Sequence, residues 1–250
     1  VDIRKREAGR LMPISLGIGV KLTQIAVPSA GDIIEFPTAD FDILFESDVG
    51  VTSDGSNRVS AWQDEIAAVS IAQATGGNQP LLVASGINGL PVVRFDKSRP
   101  DWLDLTGSTD FTPPYTILAL WANRDAFSQT FFAPGPGGAD SGVNYGFPGA
   151  GLYGPTLVDS TNTLPTDGTF ILGEYLFSNT SSEILQDNVV GNTGGTTGNH
   201  WAGLTIGRYQ GGGFAASMDM ALFAMAAGAI SSDTRAAAIA YINDKYGLSI

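Results

Sequence analysis

Three kinds of residue in this 250-residue chain have types and spacings that could do chemistry: spaced carboxylates, a single histidine and glycine-rich turns. Hydrolysis of a glycosidic bond needs two carboxyls flanking that bond, about 5 to 5.5 Å apart when configuration is retained. On a β-strand such acids stand at alternate positions of one face. Asp40 and Asp42 have that spacing, and Glu183 and Asp187 are four residues apart, but neither pair has the third acid of a Glu-x-Asp-x-x-Glu run. His200 is the only histidine, and no Gly-x-Ser-x-Gly elbow presents a serine to it, so a hydrolase triad is not expected. Cysteine is absent, which excludes disulfides, thiolate nucleophiles and thiolate zinc sites. Gly149-Ala150-Gly151-Leu152-Tyr153-Gly154 has dinucleotide-loop spacing, yet Pro148 and Pro155 flank it and leave no helix start to receive a pyrophosphate. Asp54-Gly55-Ser56-Asn57 with Asp48 offers hard oxygens but no closing glutamate, so an ordinary turn is expected there. No catalytic residue, metal or cofactor is expected.

Recognition chemistry is better represented. A sugar is held by aromatic faces beside amides and carboxylates, on loops above a rigid scaffold. The stretch from Asn192 to Tyr209 has that composition, and His200, Trp201 and Tyr209 are the candidate ligand-binding residues. Trp201 is the best stacking surface among them, with a core plug at a strand entrance as the competing reading. Trp62, Trp121 and Trp102 are assigned to the core.

The elements that must carry these residues are mostly strands. Gly 32, Pro 13 and only 15% charged residues suit a turn-dense all-β domain. Strand candidates separated by turns are Leu81 to Ala84, Pro91 to Phe95, Trp102 to Leu105, Tyr115 to Ala122 and Thr130 to Ala133, then Thr169 to Phe177, Ser182 to Gln186, Leu204 to Tyr209 and Ser217 to Met225. Tyr115 to Ala122 is apolar on both alternating faces and should be a central strand covered on both sides. Pro134 to Pro155 reads as a long loop or loose hairpin. The end of the chain reads as a helix: Ser231 or Ser232 caps it, Asp233 suits its positive start, Gly247 stops it, and Ile239, Ile242 and Tyr246 share one face. The expectation is therefore two packed antiparallel sheets closed by one C-terminal helix.

Charge is unevenly spread in a chain of formal net charge -12. Arg4, Lys5, Arg6, Arg10 and Lys21 face only Asp2 and Glu7 in the first 21 residues, whereas the remainder is strongly acidic and should repel phosphate backbones. Leu11 to Leu22 alternates apolar and smaller residues, and Pro13, Gly17 and Gly19 break any membrane or leader helix, so residues 1–35 read as an extended docking arm before a domain over 36–250. No nucleic acid partner and no membrane insertion are expected.

Trp62-Gln63-Asp64, Gln73-Ala74-Thr75, Gln79-Pro80 and Gly86 to Asp96, then Trp102-Leu103, resemble the first half of a concanavalin A-like, laminin G-like jelly roll. Gly207-Arg208, Asp219, Ala229-Ile230-Ser231-Ser232-Asp233 and Ala240 to Gly247 resemble its closing strand and helix. Met12 to Val20 followed by Leu44-Phe45-Glu46 is similar to the opening of tail and other virion proteins of tailed phages. The resemblance implies a non-enzymatic virion component on the particle surface, tail fibre or head decoration. It would dock on other virion proteins through its arm, self-associate, most often as a trimer, and meet host surface glycan. A secreted carbohydrate-binding module is the alternative, and a glycan-degrading glycosidase the third.

Overall fold

The computed structural model describes residues 33–105, 110–125, 129–133, 142–147, 149–153, 158–159, 164–195, 201–209 and 213–250. Its strands are β1 (Ile43–Glu46), β2 (Val51–Ser53), β3 (Val59–Gln63), β4 (Ser70–Ala72), β5 (Leu81–Ile87), β6 (Leu90–Phe95), β7 (Leu103–Leu105), β8 (Asp110–Phe111), β9 (Tyr115–Asn123) and β10 (Gln129–Ala133). The second half adds β11 (Gly142–Phe147), β12 (Gly149–Tyr153), β13 (Val158–Asp159), β14 (Phe170–Phe177), β15 (Ser182–Gln186), β16 (Val189–Gly194), β17 (Trp201–Ala202), β18 (Thr205–Ile206) and β19 (Met218–Ala227), then the helix α1 (Ser232–Tyr246). One sheet runs β16-β15-β14-β9-β19-β6-β5, with β1 also on β19; the other runs β13-β12-β11-β10-β18-β7-β4-β3-β2. Every pairing is antiparallel, and β8 with β17 forms a separate two-stranded ladder. The all-β sandwich with one C-terminal helix is thus what the strand pattern predicted.

Alternation explains the layers. In β9, Tyr115, Ile117, Ala119 and Trp121 enter the core between the sheets, while Leu118 and Leu120 enter a second core under α1. Each large side chain so buried contributes about 1.5 to 3 kcal/mol. Its neighbour β19 does the same with one slip: Met218, Met220, Phe223 and Met225 face the first core, and consecutive Ala221 and Leu222 both face the helix. The register shift between Met220 and Leu222 accounts for this, because a β-bulge turns two residues to one side. The Ala221 carbonyl freed there accepts from the Ser47 amide at 2.9 Å and the Tyr246 hydroxyl at 3.3 Å.

Helix α1 packs Ala238, Ile242 and Tyr246 on that outer core. Ser231 is its N-cap, its hydroxyl accepting from the Thr234 amide at 3.0 Å, and Gly247 ends it at φ 64°. Arg235 forms a two-pronged pair with buried Glu174 of β14, both contacts at 2.6 Å. The β5–β6 turn holds Asn88 at φ 45° and Gly89 at φ 84°, as a two-residue hairpin requires, and the Asn88 amide donates to the Tyr246 carbonyl. Ser231→Ala is expected to lower stability by about 1 kcal/mol, read in urea unfolding as a lower midpoint with unchanged slope.

The glycine-rich 149–153 is strand β12, paired with β11 and β13, rather than a phosphate loop. Asp54 is an ordinary turn acid: its Oδ1 accepts from the amides of Ser56 and Arg58 at 2.8 and 2.9 Å. Residues 1–32 of the expected arm lie outside the described residues. No described helix is long and apolar enough to cross a membrane.

Candidate functional site

The aromatic assignment needs one correction. Trp62 and Trp121 are fully buried, but Trp102 is in neither core and keeps part of its surface in solvent. The reason is the two-residue period of β7. Leu103 and Leu105 point into the sandwich, so Trp102, just before the strand, and Asp104 turn to the opposite face. On β18, Thr205 lies directly beside Asp104, and Ile206 beside Leu103. Four side chains meet there. The Trp102 indole N–H donates to Asp104 Oδ2 at 2.9 Å, and the Thr205 hydroxyl donates to Asp104 Oδ1 at 2.7 Å. The Arg208 guanidinium lies 3.4 Å above the Trp102 ring, with its Nη2 3.7 Å from Asp104. Burial pushes the Arg208 pKa below its ordinary value while Asp104 opposes that shift, and the group remains a cation at neutral pH.

This clasp is rigid on both sides. Gly207 sits at φ 99° with its amide bound to the Phe131 carbonyl and its own carbonyl bound by Ala216, so Arg208 leaves a fixed turn. Trp102 is anchored by its amide on the Asn78 carbonyl at 3.1 Å. An oriented indole next to a carboxylate and a guanidinium can hold a polyol: apolar C–H groups meet the ring, and hydroxyls meet the charges. Buried Arg208 Nε has no acceptor among the described residues.

Of the sequence-predicted site residues, Tyr209 directly follows Arg208, is half-buried and already has a partner. Trp201 lies in β17, its backbone paired with Phe111 of β8. His200 lies outside the described residues. Asp104, Thr205 and Arg208 were missed; the signal was the alternation Trp102-Leu103-Asp104-Leu105, which sets two polar-capable residues opposite two leucines.

Three of the four spaced carboxylates are at work in the scaffold. Asp40 accepts from the Thr234 hydroxyl at 2.8 Å and Asp42 from the Ala227 amide at 2.6 Å, both on the wall of a cavity of ≈ 430 Å³ between the 39–42 segment and the start of α1. Asp187 accepts from the Leu172 amide at 2.8 Å. Asp219 is taken up by two arginines. One carboxyl pair that spacing could not reveal does form: Glu65, after β3, faces Glu46 at the end of β1. Buried Glu46 receives the Tyr241 hydroxyl at 2.8 and 2.9 Å and Lys245 Nζ at 3.0 Å, and Lys245 also meets Asp48 at 2.9 Å. Partial desolvation of the carboxyl and then the Glu46 charge push the Glu65 pKa up from 4.5 to about 7.

A raised acid holds its proton better folded than unfolded. Its contribution is therefore complete below pH 4.5 and lost as pH rises through about 7. A shift of that size corresponds to ~3 kcal/mol for a dry group, and solvent screening at exposed Glu65 reduces it to about 1 kcal/mol. Glu65→Gln should consequently match the wild-type chain in stability at about pH 4 and exceed it at about pH 8, measured by urea unfolding at both.

No protein-family model and no curated protein matches the sequence. Solved structures do match the fold. Trypanosoma rangeli sialidase in complex with sialic acid is 14% identical with a TM-score of 0.53, over 86% of this chain but only 35% of that one. Domain 4 of AbnA, a GH43 extracellular arabinanase from Geobacillus stearothermophilus in complex with arabinotriose, is 14% identical with a TM-score of 0.50, over 80% of this chain and 98% of that one. A GH54 α-L-arabinofuranosidase is 14% identical with a TM-score of 0.54, over 74% of this chain and 50% of that one. The chain thus spans about a third of the sialidase it matches. At these identities the likeness is one of fold.

Proposed function

We propose that this chain is a non-catalytic jelly roll that holds glycan on the surface of a tailed-phage particle. In this reading residues 1–35 dock on other virion proteins, copies associate as a trimer, and the 36–250 domain meets host glycan. The Trp102, Asp104, Thr205 and Arg208 clasp carries the glycan part. It is supported by the similarity over nearly the whole of a domain whose structure holds arabinotriose. The particle assignment rests on the virion-like opening of the sequence, Met12 to Val20.

Titration of the full chain against a panel of host polysaccharides tests the glycan part. Trp102→Ala should weaken binding at least about tenfold, some 1.4 kcal/mol, and Arg208→Lys should weaken it less. Equal binding by the Trp102→Ala chain would move the site to the segment holding His200, Trp201 and Tyr209. The particle part is checked by density for the 1–35 arm on assembled virions. A monomer absent from particles that still binds glycan would instead be a secreted binding module.

Glu65 beside Glu46 favours a second reading, a glycosidase, because one raised acid next to a carboxylate is the pattern such hydrolysis uses. Against it, Glu46 is sealed under α1 and its oxygens are occupied by Tyr241, Tyr246 and Lys245. Release of reducing ends from a bound polysaccharide, abolished by Glu65→Gln, would establish that reading in place of the first.

A further inference from the structure

We propose that the rim where β6 ends is a binding site for an anionic glycan, with Arg94 and Arg124 gripping its carboxylate or sulfate. This rests on the glycan reading above and narrows it to acidic sugars. The 36–250 region has eight basic residues among 21 acidic ones. Arg235 and Lys245 are on α1; the other six, Arg58, Arg94, Lys97, Arg99, Arg124 and Arg208, gather around one rim.

The contacts that gather them are specific. Arg94 is in register with Leu81 on one side and Asp219 on the other, and Leu81 bridges to Arg58. Arg58 donates to the Gln79 carbonyl at 3.0 Å and lies near enough to Asp101 to oppose, with Arg99, the rise that burial gives the Asp101 pKa. The 96–101 loop carries Lys97, paired with Asp125 at 2.5 Å, and Arg99, paired with buried Asp101 at 2.7 Å. It then leads into Trp102, on whose ring Arg208 stacks. In a body that is otherwise strongly acidic, six of the eight bases of this region meet here, beside Asp54, Asp96, Asp101, Asp104, Asp125 and Asp219.

Asp219 organises the grip. Its carboxylate is 5% exposed and accepts Arg94 Nε at 2.7 Å, Arg94 Nη2 at 2.8 Å and Arg124 Nη1 at 3.2 Å. Two guanidiniums thus share one buried carboxylate, and Asp96 is a second acid near Arg124. Arg94 Nη1, Arg124 Nε and Arg124 Nη2 have no acceptor among the described residues, and the two side chains are 31% and 40% exposed. Held by a buried acid, these donors are set in place before any ligand arrives, which suits paired hydrogen bonds to an oxyanion. A further sign lies nearby: the buried donors Arg99 Nε and Arg208 Nε have no acceptor among the described residues. Such atoms are rare in a native fold, and they mark a place that polar acceptors enter. Nucleic acid is disfavoured by the acidic body around the rim, and a sugar carboxylate or sulfate satisfies the arginine donors.

The experiment titrates the full chain with polygalacturonate and its methyl ester, and with dextran sulfate and dextran. Polygalacturonate binding at least about tenfold tighter than the ester assigns a carboxylate; dextran sulfate preferred over dextran by the same factor assigns a sulfate. Arg124→Gln leaves Asp219 bound by Arg94, so the fold should hold, and it should abolish most of that preference with an unchanged unfolding midpoint. Equal affinity for charged and neutral partners, with no effect of Arg124→Gln, would overturn the anionic site while leaving the glycan reading intact. Polyglutamate bound as tightly as polygalacturonate would overturn it in favour of an acidic protein partner. Binding to none of the four polymers, nor to any of the host panel, would overturn both.

Discussion

Gly207→Val should be among the most damaging single changes in the chain, costing about 3 kcal/mol or more and removing glycan binding with it. A Cβ at that position would stand 2.4 Å from Phe95 Cδ1 and 2.6 Å from the Asp101 carbonyl oxygen, with φ at +99°. Neither neighbour can yield cheaply. Phe95 is 1% exposed in the core between the sheets, and the Asp101 carbonyl is backbone in the loop that aims Trp102. The glycine is also held at both ends by the bonds to Phe131 and Ala216, so the strain cannot escape along the chain. Gly89→Ala is the matching control. Gly89 is at φ +84° with nothing within 4 Å of the added carbon, so it bears backbone strain alone, about 1 to 2 kcal/mol. Urea unfolding of both variants should separate them by more than the error of the method, and near-ultraviolet dichroism of the tryptophans should change for Gly207→Val only.

Glu46→Ala should rank next, at about 2 to 3 kcal/mol. The carboxylate is buried and joins β1 to the last two turns of α1, where it receives Tyr241 and Lys245 and is 3.5 Å from the Tyr246 hydroxyl. Its removal takes the acceptor from the Tyr241 hydroxyl, which keeps Lys245 as a neighbour, while Lys245 keeps Asp48 and Tyr246 keeps the Ala221 carbonyl. The same substitution should bring the Glu65 pKa down from about 7 toward 4.5, only part of the way because partial desolvation is the larger cause of its rise. Carboxyl-carbon titration by NMR measures that value directly. If Glu65 kept its raised pKa in full, the two carboxyls would not be neighbours in solution and the latch between β1 and α1 would need another explanation.

How legible this was in the sequence differs by level. Periodicity located β9 within a residue and assigned both of its faces, because a strand buried on two sides must be apolar at every position. The helix was legible from cap to stop, since Ser231, Asp233 and Gly247 act locally, through their own hydroxyl, charge and freedom of φ. Trp102 was misread because side-chain size argues for a core, whereas the side of the strand decides. The bulge in β19 was hidden for a related reason: Ala221 and Leu222 are both apolar, and only pairing with β9 shows that they share a face.

The sequence by itself determined the β-sandwich class and the closing helix. Both depend on residues within a turn or two of one another. The tertiary structure decided which charges meet. Arg94 and Asp219 are 125 residues apart, Asp104 and Thr205 are 101 apart, and Tyr241 and Glu46 are 195 apart. Such pairs exist only when antiparallel register places distant strands side by side, and register follows from burial of the whole sheet, which no local spacing records.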